Sequence, residues 1–116
     1  MTDSYTVSVV APAYNEEASL PTLASRLLRA TEKAGIGCEL IIVDDGSDDD
    51  TWKVIAGLTE EWGDAIRGIQ HGDNRGIPAS WQTGVEEARG EYVCLIDADL
   101  QNPPEQVVTL YRRLLE

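Results

Sequence analysis

Short apolar runs alternate with longer stretches of helical periodicity along this chain. Four runs rich in Val and Ile have the composition of buried strands, and they cover residues 6–11, 39–44, 66–70 and 92–97. The segment after the first run has the signals of a helix, with Ser19 as a cap, Pro21 in the first turn and Gly35 at the end. Its apolar stripe consists of Leu20, Leu23, Leu27 and Leu28.

Three further helices follow from the same periodicity. The second begins near Thr51, the third covers residues 78–88, and the fourth runs from about Pro103 to the end of the chain. The apolar stripe of the second helix is Val54, Ile55, Leu58 and Trp62, and that of the fourth, expected to face inward, is Val107, Leu110, Tyr111 and Leu114.

The predicted order of elements is therefore βαβαβαβα. Strands that alternate with helices of this length indicate a doubly wound α/β fold, a mainly parallel sheet with flanking helices. Ligands of such sheets bind beyond the carboxyl ends of the strands, where the loops converge. We therefore expect a functional site at that edge.

Composition and net charge limit the kinds of ligand and partner that we expect the chain to bind. A length of 116 residues with 42% hydrophobic residues suits one compact domain, residues 1–116. The formal charge of −12 disfavours nucleic acid as a partner, and an anionic ligand would need a cation. No apolar run approaches the roughly 20 residues of a bilayer span, so we expect a soluble, cytoplasmic chain, with Cys38 and Cys94 reduced.

Three of the four strands run into polar loops, which the topology places at one edge. These loops are 12–17, 44–47 and the acidic segment Asp97-Ala98-Asp99. Gathered carboxylates repel one another unless a cation neutralises them, and Mg²⁺ commonly uses one or two carboxylates together with substrate phosphates. Asp97 and Asp99, two residues apart, would face the same side of an extended segment and could share one ion.

The Asp-x-Asp spacing alone is weak evidence, because Asp48 and Asp50 match it. We interpret that second pair as capping a helix N-terminus, and a solvated turn before Pro103 is the corresponding structural alternative for Asp97 and Asp99. A Walker Gly-Lys-Ser/Thr motif is absent from the sequence, which disfavours P-loop enzymes. A phospho-accepting receiver would also gather carboxylates at its strand ends, but such a protein usually needs a lysine at the end of a late strand. The two lysines of this sequence lie in predicted helices.

Four motifs in order resemble the family 2 glycosyltransferases of the GT-A fold. They are residues 7–17 (VSVVAPAYNEE), 41–49 (IIVDDGSDD), 74–76 (NRG) and 97–105 (DADLQNPPE). The last is most similar to the polyprenyl-phosphate branch of that family. The resemblance covers nearly the whole chain and implies the Rossmann-like N-terminal half of a GT-A fold.

The resemblance also implies roles for individual residues. Pro12, Tyr14 and Glu16 would contact the base and ribose of a UDP- or GDP-linked sugar, and Val43 and Asp45 would help to hold the nucleoside. Asp97, Ala98 and Asp99 would meet the diphosphate. A divalent metal, Mg²⁺ or Mn²⁺, would bind at Asp97, Asp99 and Gln101, and the two aspartates would be the catalytic residues.

The implied activity is metal-dependent transfer of the sugar to an acceptor, which in this branch is a polyprenyl phosphate. Family catalytic domains are longer, so we interpret the chain as a truncated donor-binding half. The full-length protein would then lie at the cytoplasmic face of a membrane, and the isolated half could form homo-oligomers through an uncovered sheet edge. Two alternatives remain at this point: a non-catalytic acidic metal-binding or receiver-like module, and a sugar-nucleotide-binding module without a catalytic partner.

Two sequence features depart from the family pattern or have no assigned role. Pro78 and Trp81 make the stretch after Asn74-Arg75-Gly76 bulkier than in many family members, which leaves the identity of the sugar open. His71 and Arg75, which follow the third strand, are interpreted as ordinary loop residues, and the alternative is that one of them faces the donor.

Overall fold

The computed structural model describes residues 5–116. Within this range four strands form one sheet: β1 (Val7–Ala13), β2 (Cys38–Asp45), β3 (Ile66–His71) and β4 (Tyr92–Leu95). Their order is β3-β2-β1-β4 and every pairing is parallel. The helices are α1 (Leu20–Lys33), α2 (Thr51–Trp62), α3 (Ile77–Glu87) and α4 (Gln106–Leu114). The predicted doubly wound α/β class is confirmed.

Alternating residues of the central strands build two cores, one on each face of the sheet. Val9 and Leu40 point into the larger core, together with the apolar stripe of α1 and with Ile55 of α2. Val10 and Ile41, the next residue of each strand, point into a smaller core on the opposite face, where Trp81 of α3 packs against them. This period of two is the one expected of strands buried on both faces.

The ends of α1 follow the predicted signals in part. Pro21 lies in the first turn, and Gly35 follows the helix with a φ of +74°, a left-handed conformation that glycine adopts without strain. Ser19 stands at the N-cap position, but its hydroxyl makes no capping hydrogen bond. That hydroxyl is used elsewhere, as described below.

The edge of the sheet at β4 differs from the prediction. The strand ends at Leu95, two residues early, so the argument that Asp97 and Asp99 share one side of an extended segment is wrong. The fourth helix begins at Gln106, and Leu110 and Leu114, predicted to face inward, are 52% and 63% exposed. The reason is that β4 is an outer strand, and within residues 5–116 no further strand extends the sheet on that side.

Both cysteines are free, as predicted. Burial raises the pKa of the Cys38 thiol to about 12 and also raises that of Cys94, so neither thiol is activated. Across residues 5–116, no helix is both long and apolar enough to cross a membrane.

Candidate functional site

A pocket of about 140 Å³ lies beyond the carboxyl ends of β1 and β2. It gathers most of the residues that the sequence singles out, and it is lined by Pro12, Ala13, Tyr14, Glu16, Asp45, Ile77, Asp97, Ala98 and Asp99. Residues from four separate segments therefore meet at the edge where parallel sheets bind ligands. A larger apolar groove of about 360 Å³ runs between β4 and α4, and no predicted site residue lines it.

The loop after β1 is fastened to the loop after β2. Asn15 adopts a left-handed φ of 54°, and its side-chain oxygen accepts a hydrogen bond from the amide of Asp48 at 2.9 Å. The amide of Glu16 donates to Thr51 Oγ1 at 3.0 Å. These bonds leave Tyr14 45% exposed at the pocket, where its hydroxyl donates to Asp48 Oδ2 at 3.3 Å. The ring is thus presented to a ligand in an oriented position.

The acidic segment is held by the start of α1 as well as by the sheet, since the amide of Ile96, just before it, donates to the carbonyl oxygen of Val10 at 3.0 Å. Ser19 Oγ donates to the carbonyl oxygen of Ala98 at 2.7 Å, and Ala98 is buried. Beyond the segment, Arg26 makes two hydrogen bonds to Glu105, at 2.6 and 2.8 Å, which lower the pKa of that carboxyl. The main chain is anchored at both ends, while the side chains of Asp97 and Asp99 remain exposed.

Asp45 is the most heavily bonded carboxylate of the pocket. Burial alone would raise its pKa, but hydrogen bonds from His71 and from the amides of Arg75 and Gly76 outweigh burial and hold the pKa below its usual range. The three distances are 2.8, 2.9 and 2.9 Å. Asp45 therefore stays ionised and fixes the loop that leads into α3.

Other predicted residues take different positions. Val43 is completely buried and packs with Val10 and Ile41, so its side chain lies in the core. Gln101 is exposed outside the pocket lining, and its amide donates to Asp99 Oδ1 at 3.2 Å.

The predicted caps of α2 are wrong in detail. Asp50 occupies the N-cap position of α2 without a capping side-chain bond, and it is Asp49 that accepts hydrogen bonds from the amide and the hydroxyl of Thr51. Asp48 accepts the Tyr14 hydroxyl.

The contact between His71 and Asp45 is a feature of the site that the sequence interpretation did not predict. The interpretation of His71 as an ordinary loop residue is wrong, since it ends β3, is 5% exposed, and lies opposite Asp45 in the strand register. A histidine and an aspartate at the ends of adjacent parallel strands are expected to meet, but this signal can be used only once β2 and β3 are known to be adjacent and in register.

The side chains at this site do not by themselves complete the coordination of a metal ion, and a bound ligand would have to supply the remaining coordinating atoms. Among residues 5–116, three or more His, Cys, Asp or Glu side chains nowhere come together as a metal-binding group. Asp97 and Asp99 offer two exposed carboxylates from one turn, and Mg²⁺ commonly uses one or two carboxylates with phosphate oxygens and water for the rest. The two aspartates therefore fit a hard cation that arrives with a phosphorylated ligand.

Curated relatives share this sequence at substantial identity. An undecaprenyl-phosphate 4-deoxy-4-formamido-L-arabinose transferase of Aeromonas hydrophila subsp. hydrophila is 41% identical over 115 residues, which cover 99% of this chain and 35% of that protein. The enzyme of the same name from Pseudomonas aeruginosa is 43% identical over 107 residues, covering 92% of this chain and 32% of that protein. The chain thus spans about a third of the length of the curated relatives it matches.

Solved structures share the fold. The mannosyltransferase PcManGT from Pyrobaculum calidifontis, in complex with GDP-Man and Mn²⁺, superposes with a TM-score of 0.82 at 23% identity, over 97% of this chain and 33% of that one. S. aureus TarS in complex with UDP-GlcNAc gives a TM-score of 0.69 at 25% identity, over 92% of this chain and 30% of that one. These likenesses confirm the predicted fold.

The family model described as glycosyl transferase family 2 matches residues 8–116, nearly the whole chain. The match confirms the family resemblance of the four motifs, and the names of the relatives confirm the polyprenyl-phosphate branch. The chain belongs to glycosyl transferase family 2.

Proposed function

We propose that this chain is the donor-binding half of a glycosyltransferase that transfers a sugar from a nucleoside diphosphate to a polyprenyl phosphate. The observation that carries the proposal is the pocket itself, which brings Pro12, Tyr14, Glu16 and Asp45 within one cavity with Asp97 and Asp99. Family membership and the names of the relatives support the reaction class and the acceptor.

Within this proposal the pocket binds the two ends of the donor by different chemistry. Tyr14 offers an exposed aromatic ring to the base, and Glu16 and Asp45 offer carboxylate oxygens to hydrogen-bond donors of the nucleoside. Ala98, held in place by Ser19, puts the acidic turn beside the diphosphate. Val43 would act from the core, by shaping the strand under the nucleoside.

Asp97 and Asp99 are the proposed metal ligands and catalytic residues, with Gln101 nearby on the same turn. A bound Mg²⁺ or Mn²⁺ would neutralise the negative charge that develops on the leaving diphosphate. The carboxylates of Asp97 and Asp99 would hold the diphosphate in place through that cation. The acceptor phosphate is already ionised and needs little help from a base, so no base is assigned in this chain.

Because the chain corresponds to about a third of its relatives, we expect donor binding with weak or absent transfer. The longer protein would act at the cytoplasmic face of a membrane, where a polyprenyl phosphate is accessible.

Calorimetry with UDP, GDP and their sugars, in Mn²⁺ or in EDTA, tests the proposal. We expect binding that depends on the metal, and we expect Asp99→Asn to reduce the affinity in Mn²⁺ to the value measured in EDTA. Asp50→Asn is the matched control, because Asp50 belongs to the other Asp-x-Asp pair and does not line the pocket. Metal-independent binding, or no binding to any of these nucleotides, would contradict the assignment.

A further inference from the structure

A buried histidine lies directly behind the pocket. His71, at the end of β3, is 5% exposed, and its Nδ1 lies 2.8 Å from Asp45 Oδ1. Its other ring nitrogen, Nε2, lies 2.9 Å from the hydroxyl oxygen of Thr83. Both polar atoms of the ring are therefore used, and the ring joins the end of β2 to the middle of α3.

Helix α3 holds the far side of this ring. The Thr83 hydroxyl also lies 3.0 Å from the carbonyl oxygen of Ala79, one turn earlier in the helix. A second observation places α3 firmly on the sheet: a Cβ added at Gly84 would come within 2.3 Å of Val10 Cγ1, so the helix and β1 are in direct contact there. The Thr83 side of the histidine is thus a rigid support.

Asp45 connects His71 to the loop 72–76 through hydrogen bonds. Its Oδ1 accepts the amide of Arg75 and its Oδ2 accepts the amide of Gly76, both at 2.9 Å, while its carbonyl accepts from Asn74 Nδ2 at 3.2 Å. The same loop packs against Gly46, where an added Cβ would lie 2.6 Å from the carbonyl carbon of Asp73. The carboxylate of Asp45 therefore orders the loop and faces the pocket at the same time.

The direction of the Asp45 carboxylate depends on its protein donors. With three hydrogen bonds already made, the carboxylate can present its remaining acceptor capacity to a ligand in one orientation. Without the His71 bond, Oδ1 would lose its side-chain donor, and the carboxylate could turn away from the two loop amides. Ile77, which lines the pocket immediately after the loop, would lose its fixed position as well.

We propose that His71 is a positioning residue for the donor pocket, acting through Asp45. Held between Thr83 and Asp45, it keeps the carboxylate in the orientation that both receives the loop amides and meets the ligand. The inference rests on the proposed function for the identity of the ligand, but the effect of His71 on the loop amides is independent of any ligand.

Two variants of His71, each with a side-chain amide, distinguish the hydrogen bond to Asp45 from the mere filling of the space that the ring occupies. The side-chain amide of His71→Asn occupies the place of Nδ1 and can still donate to Asp45, whereas that of His71→Gln occupies the place of Nε2 and reaches Thr83. Amide hydrogen exchange by NMR is measured for Arg75 and Gly76, and the affinity for UDP and GDP is measured by calorimetry in Mn²⁺. We expect His71→Gln to lower protection and affinity by about tenfold, and His71→Asn to retain both within about threefold.

Two further variants complete the test. Asp73→Asn is the control, since Asp73 pairs with the Arg75 side chain on the surface and does not contact the Asp45 carboxylate. Thr83→Val removes the support at Nε2 but keeps the contact of Nδ1 with Asp45, so it should lower protection of the two amides by no more than about threefold, as in His71→Asn, and it can be measured even if His71→Gln does not fold. Unchanged protection in His71→Gln would overturn the inference, as would equal losses in His71→Asn and His71→Gln, or a loss of about tenfold in Thr83→Val.

The two proposals fail in different ways. Lost protection in His71→Gln with unchanged nucleotide affinity would overturn the positioning role and leave the proposed function in place. Lost protection in a chain that binds neither nucleotide in its wild-type form would overturn the proposed function, while the hydrogen-bond role of His71 would stand.

Discussion

Replacing Glu39 with glutamine removes a negative charge from the interior at the amino end of the sheet. Glu39 has no exposed side-chain surface and lies opposite Ser8 in the strand register. Its carboxylate accepts from Ser8 Oγ at 2.5 Å and from the amide and Nε of Arg89 at 2.8 and 2.9 Å. Arg67 Nη2 lies 3.3 Å away.

The expected loss of stability follows from the two arginines, which lose their buried negative partner. Removing one partner of a buried ion pair costs about 3 to 5 kcal/mol, because the other charge stays buried without compensation. Here the two arginines keep 28% and 33% of their side-chain surface exposed, so water can partly rehydrate them. We therefore expect Glu39→Gln to lower the free energy of unfolding by about 2 to 3 kcal/mol at pH 7.

The loss should also depend on pH in a defined direction. Burial alone would raise the pKa of Glu39, but the bonds from Ser8 and Arg89 and the charge of Arg67 hold it below its usual range. A group with a lowered pKa in the folded state stabilises the fold above the unfolded value of about 4.3. That contribution disappears as the pH falls through the folded pKa, so the wild type and the variant should converge in acid.

Urea unfolding of both proteins at pH 7 and at lower pH values measures these differences. Glu87→Gln is the matched control, because Glu87 also pairs with Arg67 but is 54% exposed, and it should change stability by less than about 1 kcal/mol. An effect of Glu39→Gln no larger than that of the control at pH 7, or a difference that grows as the pH falls, would refute the reasoning.

Two other predictions concern the helices and the sheet edge. Gly84→Ala should destabilise the fold by about 1 to 3 kcal/mol, since the new Cβ would overlap Val10. Gly57→Ala, which has open space around it, should instead stabilise α2 by up to about 1 kcal/mol. Equal shifts of the two variants in urea unfolding would contradict this prediction. The chain should self-associate through the outer strand β4, where Val93 is 42% exposed, and Val93→Lys should reduce the apparent mass in light scattering. A monomeric wild type at high concentration would contradict that prediction.

Much of the fold and of the candidate site could be predicted from local patterns and topology. Apolar runs separated by helical segments require a parallel sheet, and a parallel sheet brings the ends of its strands to one edge. The topology therefore predicts that Tyr14, Asp45 and Asp99 lie near one another, and they line one pocket. The prediction depends on which residues lie near the ends of strands, and periodicity indicates those ends to within about two residues.

Other features depend on contacts that periodicity does not describe. Glu39 lies in an apolar run, and its buried carboxylate is paired with Arg67 and Arg89, which are distant from it in sequence. The role of His71 needs the register of β2 and β3, since Asp45 and His71 are 26 residues apart. The exposure of Leu110 follows from the position of β4 at the edge, which the order of elements along the chain does not determine.

Arginines neutralise negative charge at the amino end of the sheet but not in the pocket at its carboxyl end, and this difference supports the proposed site. At the amino end, Glu39 is neutralised by two arginines. At the carboxyl end, no lysine or arginine is among the described residues that line the pocket, although four carboxylates do: Glu16, Asp45, Asp97 and Asp99. Asp45 is stabilised by its own hydrogen bonds, but the exposed pair, Asp97 and Asp99, has no cation in its lining. A fold that neutralises a buried carboxylate so completely at one end, and leaves this pair uncompensated at the other, has the charge distribution expected where a diphosphate binds together with a metal ion.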